Sequence, residues 1–168
     1  MKSKQPSHLT WRKGRYLATT DPKAIDADAA LRMLHTTYWA SHRSMECFLA
    51  SLKHSKCISL LDGKRQIGFA RWISDWAVFA WLTDVVIDKE YRGKGLGKFL
   101  IRCALEMPEV KGLRIWLSTM DAKGLYEKFG FESIEAMRLI SKDDTPDASW
   151  GKPANVASKA ARKRRLTS

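Results

Sequence analysis

The chain has 168 residues, of which 45% are hydrophobic and 29% are charged. These values are ordinary for one globular domain and exclude a collagen-like, coiled-coil or wholly disordered chain. Thirty lysines and arginines against 18 aspartates and glutamates give a net charge of +12, and most of the excess lies in residues 1–16 and 151–168. This placement disfavours a nucleic-acid-binding domain, which more often spreads basic residues over a folded face.

The apolar segments are too short for a membrane helix, which needs about 20 apolar residues. The first residues, Met-Lys-Ser-Lys-Gln-Pro, have no apolar stretch behind them, so no secretory signal is expected. Three widely spaced cysteines favour reduced thiols over a disulfide framework or a zinc site. We therefore expect a cytoplasmic protein without a membrane segment.

The first half of the chain predicts two helices between a short strand and a β-hairpin. Residues 15–20 are typical of a strand that Asp21-Pro22 ends, and apolar spacing predicts a helix over 26–37. Ser44 is a cap residue for a second helix, whose apolar stripe extends to Leu52. The predicted strands that follow are 56–61, 66–74 and 78–87.

The second half alternates helices with strands, which favours a mixed α/β sheet. The periodicity predicts a helix over 96–107, a strand over 113–118, a short helix over 122–129 and a last strand over 131–140. We divide the chain into a basic N-terminal extension (1–14), one domain (15–142) and a disordered basic tail (143–168).

A glycine-rich turn lies between the long apolar strand and the third helix. The first N–H groups of a helix have no internal partner and lie at the positive end of the helix dipole, so they bind anions. Glycines let a phosphate approach the backbone, and Arg92, Lys94 and Lys98 add positive charge. The spacing fits neither a P-loop nor a dinucleotide-binding turn. The turn therefore predicts a phosphate site over Arg92, Gly93, Lys94, Gly95, Leu96, Gly97 and Lys98.

Two segments resemble the GNAT N-acetyltransferase superfamily. Residues 85–97 are similar to its acyl-CoA motif, and Asp121-Ala-Lys-Gly-Leu-Tyr-Glu-Lys-Phe-Gly-Phe131 is similar to a second element further along the chain. Gly68-Phe-Ala-Arg71 and residues 82–85 resemble a bacterial subgroup without a named acceptor. The resemblance covers about 15–140. It implies a mixed α+β fold with a central, mostly antiparallel twisted sheet of six to seven strands, flanked by about four helices.

The resemblance implies acetyl-CoA as co-substrate, no metal, and direct attack by a primary amine of a small molecule or protein in a ternary complex. The backbone of Val85, Val86 and Ile87 would hold the pantetheine arm like an added strand, and the glycine turn would hold the diphosphate. Tyr126 is implied as the general acid for the thiolate. Asp121 stands where the family has asparagine, beside the coenzyme.

The general base is less clearly marked, because Trp116 occupies the position at which many family members have a glutamate. Asp84 is the best remaining carboxylate for that role, and a structural role for it stays open. The acceptor pocket is expected between the first two helices and the hairpin. The expected substrate-binding residues are Tyr38, Trp39 and Trp72.

Two other functions stay open at this point. A GNAT fold can hold acyl-CoA as a non-catalytic sensor, which the missing glutamate favours. A protein that binds RNA or ribosomes through its basic tails is the second alternative, less favoured than a solvated tail. A homodimer is compatible with the sequence.

Overall fold

The computed structural model describes residues 8–137 and 139. This part of the chain folds into one six-stranded sheet in the order β1-β2-β3-β4-β5-β6, antiparallel except for the parallel pair β5–β6. Four α-helices accompany the sheet, which confirms the predicted mixed α+β class. The elements are β1 (Thr10–Lys13), β2 (Tyr16–Thr19), α1 (Ala27–Leu34), α2 (Met45–Leu52), β3 (Lys56–Asp62), β4 (Arg65–Ser74), β5 (Phe79–Ile87), α3 (Leu96–Leu105), β6 (Arg114–Trp116) and α4 (Lys123–Tyr126).

Three elements differ from the sequence prediction. β1 was not predicted, and it forms a hairpin with β2 through Gly14, whose φ of +57° suits a tight turn. α1 ends at Leu34 because the hydroxyls of Thr36 and Thr37 donate to carbonyls of its last turn. The strand predicted over 131–140 is wrong for the described residues 131–137 and 139, which form no strand. The predicted tail, 143–168, lies outside the described residues.

Both faces of the sheet are covered. On one face Ile58, Leu60 and Trp72 pack with Leu96 and Leu100 of α3. On the other face Phe69 packs edge-to-face on Phe48 of α2, together with residues of α1. Burial on both sides explains why β3, β4 and β5 are rich in apolar residues. Within the described residues, no helix is both long and apolar enough to cross a membrane.

The sheet is irregular in the second half of β5. Phe69 pairs with Val86 and Arg71 pairs with Thr83, so two residues of β5, Asp84 and Val85, lie opposite Ala70 alone. This is a β-bulge, and Asp84 takes a left-handed backbone conformation with φ of +56°. On its other side β5 pairs with β6 only over Phe79–Trp81. The two strands then separate and leave a backbone edge of β5 beside a cavity.

Candidate functional site

A cavity of about 990 Å³ opens where β5 and β6 separate. Its wall is formed by the segment between α1 and α2, the second half of β5, the glycine turn with the start of α3, and the chain leading into α4. A volume near the top of the range for small-molecule sites suits a large, extended ligand. The predicted site residues that line it are Asp84, Tyr126, Val85, Val86, Ile87, Arg92, Gly93, Gly95, Leu96, Gly97, Lys98, Asp121, Tyr38 and Trp39.

Two predicted site residues lie elsewhere. Lys94 is not part of the cavity wall, since its ammonium lies 4.8 Å from the centre of the Tyr91 ring and 3.3 Å from the Glu90 carbonyl oxygen. Trp72 is fully buried in the core and does not line the cavity. Its burial is a consequence of its position on a central strand that is covered by α3. The structure therefore gives Trp72 a packing role and no access to a substrate.

The glycine turn leaves the first amides of α3 available to a ligand. Gly93 and Gly95 have positive φ values of +77° and +71°, and Gly95 caps the helix without a side-chain hydrogen bond. Arg92 is fixed beside the turn, because its Nε donates to the carbonyl oxygen of Ile87 at 3.1 Å. The arrangement fits an anion better than a neutral group, since helix dipole and side chains are positive at the same place.

β1 brings a further cation to this turn that sequence reasoning missed. Lys13 Nζ lies 3.3 Å from the carbonyl oxygen of Gly95. The sequence pattern indicated this position of Lys13 only weakly, because Lys13 belongs to residues 1–14, which were expected to form an N-terminal extension. Its position follows from the β1–β2 hairpin, which a local pattern did not reveal.

Tyr126 is held in a half-buried position at the end of α4. Burial raises the pKa of its phenol to about 12, helped by the negative charge of Asp121 and by Tyr38. Phe131 packs against its ring at a centroid distance of 5.7 Å. The hydroxyl therefore stays protonated at neutral pH, which is the state that a proton donor needs.

Asp84 is the centre of a buried ion cluster. Arg43 Nη1 and Arg71 Nε both donate to its Oδ2, at 2.7 and 2.8 Å. Burial alone would raise the pKa of Asp84, but the charges and hydrogen bonds of Arg71 and Arg43 outweigh it and the pKa is lowered. An ionised carboxylate in two ion pairs is a weak proton acceptor. These contacts favour a structural role for Asp84, and its role as general base stays a prediction.

Tyr38 and Trp39 form an aromatic part of the cavity wall. Their rings meet edge-to-face at 4.8 Å, and the Tyr38 hydroxyl accepts a hydrogen bond of 2.9 Å from the Met120 amide. This bond joins the α1–α2 segment to the chain before α4. These two segments of the cavity wall are thereby linked to each other.

Neither Arg43 nor Arg71 was predicted as a site residue from the sequence. The available signal was an ionisable residue in an apolar strand, since Arg71 and Asp84 both lie among apolar residues of β4 and β5. Cross-strand neighbours of opposite charge in such runs indicate a buried ion pair. The contribution of Arg43 had no comparable signal, because it depends on how the α1–α2 segment folds back on the sheet.

Comparison with known proteins gives consistent matches. A family model described as an acetyltransferase (GNAT) domain matches residues 53–133. A structurally characterised GNAT-family protein from Xanthomonas campestris pv. campestris is 33% identical, with a TM-score of 0.72, covering 79% of this chain and 95% of its own. The uncharacterized N-acetyltransferase ycf52 of Porphyra purpurea is 31% identical over 127 residues, 71% of each chain. GCN5-related N-acetyltransferase 2, chloroplastic, of Arabidopsis thaliana is 36% identical over 80 residues, which are 43% of this chain and 31% of that protein.

Proposed function

The chain belongs to the GNAT acetyltransferase family, and on that premise we propose that it transfers the acetyl group of acetyl-CoA to a primary amine. The acceptor amine belongs to a small molecule or to a protein. Two similar proteins carry the name N-acetyltransferase, which supports nitrogen as the acceptor atom.

The observation that carries this proposal is the meeting of two backbone features in one cavity. The edge of β5 over Val85–Ile87 lies beside the cavity, and the uncapped start of α3 lines the same space. An extended chain with amides can pair with the strand edge, as an added strand does. A diphosphate can accept hydrogen bonds from the helix amides at the other end. Coenzyme A has both parts in this order, so the residues fit it.

Side chains around the turn assist the diphosphate. Arg92 and Lys98 line the cavity, and Lys13 reaches the turn from β1. Lys94 belongs to the turn but not to the cavity wall, so it contributes its charge at longer range. Asp121 carries the opposite charge and lies on the side of the cavity where Tyr126 lies.

Acetyl transfer needs a hydrogen-bond donor to the carbonyl oxygen, an acid that protonates the thiolate and an acceptor for the proton of the amine. The neutral amine attacks the thioester carbonyl, a carbon–nitrogen bond forms, and the carbon–sulfur bond breaks. A backbone N–H of the β5 bulge stabilises the charge on the carbonyl oxygen. Tyr126 gives its proton to the departing thiolate and regains one from solvent. The amine loses its extra proton to water, and Asp84 keeps the bulge in shape through its two ion pairs.

The direct test is release of the CoA thiol over a panel of primary amines, with acetyl-CoA in excess. Acetyl-CoA binding is measured separately by the shift in unfolding temperature, because a ligand at 100 times its Kd adds about 2.7 kcal/mol to the free energy of unfolding. We expect a shift with acetyl-CoA and amine-dependent thiol release above the rate without amine. Binding without transfer to any amine would favour the acyl-CoA sensor, and an absence of binding would refute both.

A further inference from the structure

The ion cluster beside the cavity carries an excess of positive charge. Arg43, Arg71 and Asp84 are all buried, and two guanidinium groups share one carboxylate. Arg71 is also held by a second hydrogen bond, in which its Nη1 donates to the Ser55 hydroxyl at 2.8 Å. A buried net positive charge is costly unless an anion compensates it.

Arg43 is a nearly buried residue of the cavity wall that keeps unused hydrogen-bond donors. It lines the cavity although only 6% of the residue is exposed. Among the described residues, its guanidinium is bonded only through Nη1, to Asp84. The edge formed by Nε and Nη2 keeps its donors, and that edge matches a carboxylate in a two-bond geometry.

The backbone of Arg43 is held in place before any ligand arrives. Its N–H donates to the Ala40 carbonyl oxygen at 3.1 Å, and its own carbonyl oxygen lies 2.8 Å from Nε2 of His35. The guanidinium is anchored at the other end by Asp84. A donor fixed at both ends loses little conformational entropy on binding, which increases its effect on affinity.

The other charged side chains of the cavity wall have roles or contacts that do not involve Arg43, so Arg43 is available to the acceptor. Arg92 and Lys98 lie at the glycine turn, where the proposed diphosphate needs them. Asp121 acts on Tyr126 near α4 and is not bonded to Arg43. Arg43 lies with Tyr38 and Trp39 on the segment between α1 and α2, which lines the cavity.

We propose that Arg43 binds a carboxylate of the acceptor, so that the substrate class is an amine that also carries a carboxylate group. This inference rests on the proposed acetyl transfer, since it names the acceptor of that reaction. The carboxylate occupies the Nε–Nη2 edge of Arg43, and the amine is directed toward the bulge of β5. Tyr38 and Trp39 contact the atoms between the two groups.

The test compares matched acceptors on the wild-type protein. Each amino acid in the panel is paired with its amide and with the alkylamine that lacks the carboxylate, and a phosphate-bearing amine of similar length tests the other common anion. We expect kcat/KM to be about 10-fold or more higher for at least one carboxylate than for its amide, as for a charge-assisted hydrogen bond. Transfer to amines without any preference for the carboxylate would overturn the inference and leave the proposed function intact. A preference for phosphate alone would overturn it as well.

Two variants connect the preference to Arg43. Arg43→Met removes the fork, and we expect the ratio of kcat/KM between carboxylate and amide to fall toward one. Arg43→Lys keeps the positive charge but removes the planar fork of donors, so we expect it to retain part of the ratio. It also provides the test if the methionine variant does not fold. Arg32→Met is the control, because Arg32 is an exposed arginine of α1 outside the cavity. An unchanged ratio in folded Arg43→Lys and Arg43→Met proteins contradicts the assignment.

Discussion

At the scale of single residues, burial and neighbouring charges together give Tyr126 and Asp84 opposite protonation states. Burial raises the pKa of Tyr126 to about 12 and so keeps the phenol neutral. It would do the same to Asp84, but two arginines reverse the effect and keep the carboxylate ionised. Tyr126 can therefore donate a proton at neutral pH, and the Asp84 carboxylate can pair with the two arginines. The different roles of the two side chains follow from their neighbours.

Replacing Tyr126 with phenylalanine removes the donor and little else. We expect kcat to fall about 10²-fold, as for the loss of a general acid, with a small change in stability because the ring still packs on Phe131. Because the pKa of the phenol is about 12, the wild-type kcat should show no loss from Tyr126 deprotonation below about pH 10. Steady-state kinetics over that pH range and a thermal unfolding curve measure both effects.

Tyr16→Phe is the matched control for this variant, since Tyr16 is a partly buried tyrosine of β2 outside the cavity. It should leave kcat within twofold of wild type, a difference of about 0.4 kcal/mol in the barrier. If Tyr126→Phe turned over as fast as this control, Tyr126 would have no part in proton transfer.

At the scale of elements, the glycine turn was predictable from local patterns, whereas the contacts of the α1–α2 segment were predictable only in part. The turn's glycines, flanking cations and helix periodicity lie within one short stretch, so local patterns sufficed to predict it. Tyr38 and Trp39 reach the cavity through a bend that ends α1 early, and Arg43 meets Asp84 across 41 residues of sequence. Trp72 shows the opposite error, because aromatic density alone does not tell whether a side chain lies in the core or in a cavity wall.

Gly97 provides a test of the turn that separates binding from folding. A β-carbon added there would meet Ile87 Cγ1 at 3.9 Å, an ordinary contact, and the residue lies in α3 with no positive φ. Gly97→Ala should therefore raise or preserve the free energy of unfolding, since alanine is favoured in helices by up to about 1 kcal/mol. The same methyl group narrows the cavity beside the first helix amides, so acetyl-CoA binding should weaken at least about 10-fold, or about 1.4 kcal/mol.

Gly124→Ala is the control for the turn, because Gly124 lies in α4 with open space around it and does not line the cavity. It should change neither acetyl-CoA affinity nor the fold. Isothermal titration with acetyl-CoA and chemical unfolding measure the two quantities for each variant. Equal affinity in Gly97→Ala and wild type would place the diphosphate away from this helix start.

At the scale of the whole molecule, the sheet was predictable from β2 to β6, whereas its edge strand β1 was not. β3, β4 and β5 are long, apolar and joined by turn residues, so their existence follows from local sequence. β1 is short and largely exposed, and it depends on pairing with β2. Residues 131–137 mix apolar and polar side chains as a strand can, but a strand also needs a partner edge for its hydrogen bonds. Pairing is set by the assembled sheet, which the local sequence does not reveal.

The buried thiols make the stability of the whole domain sensitive to alkaline pH. Burial raises the pKa of both Cys57 and Cys103 from 9.0 to about 12. Between these values the folded protein keeps protons that the unfolded chain has released, so the free energy of unfolding falls as pH rises. Each thiol contributes a slope of up to about 1.4 kcal/mol per pH unit. Unfolding in urea from pH 8 to about 10.5 measures the total slope, to which surface lysines also contribute.

The double variant Cys57→Ala/Cys103→Ala separates the thiols from the lysines, because it keeps every other titrating group. Its absolute stability should be lower, since two buried sulfur atoms are lost from the core. Its stability should nevertheless decline less steeply with pH than that of the wild type, and the difference between the two slopes is the thiol contribution. Parallel curves would mean that the thiols ionise as easily in the folded domain as in the unfolded chain, which contradicts the burial of Cys57 in β3 and of Cys103 in α3.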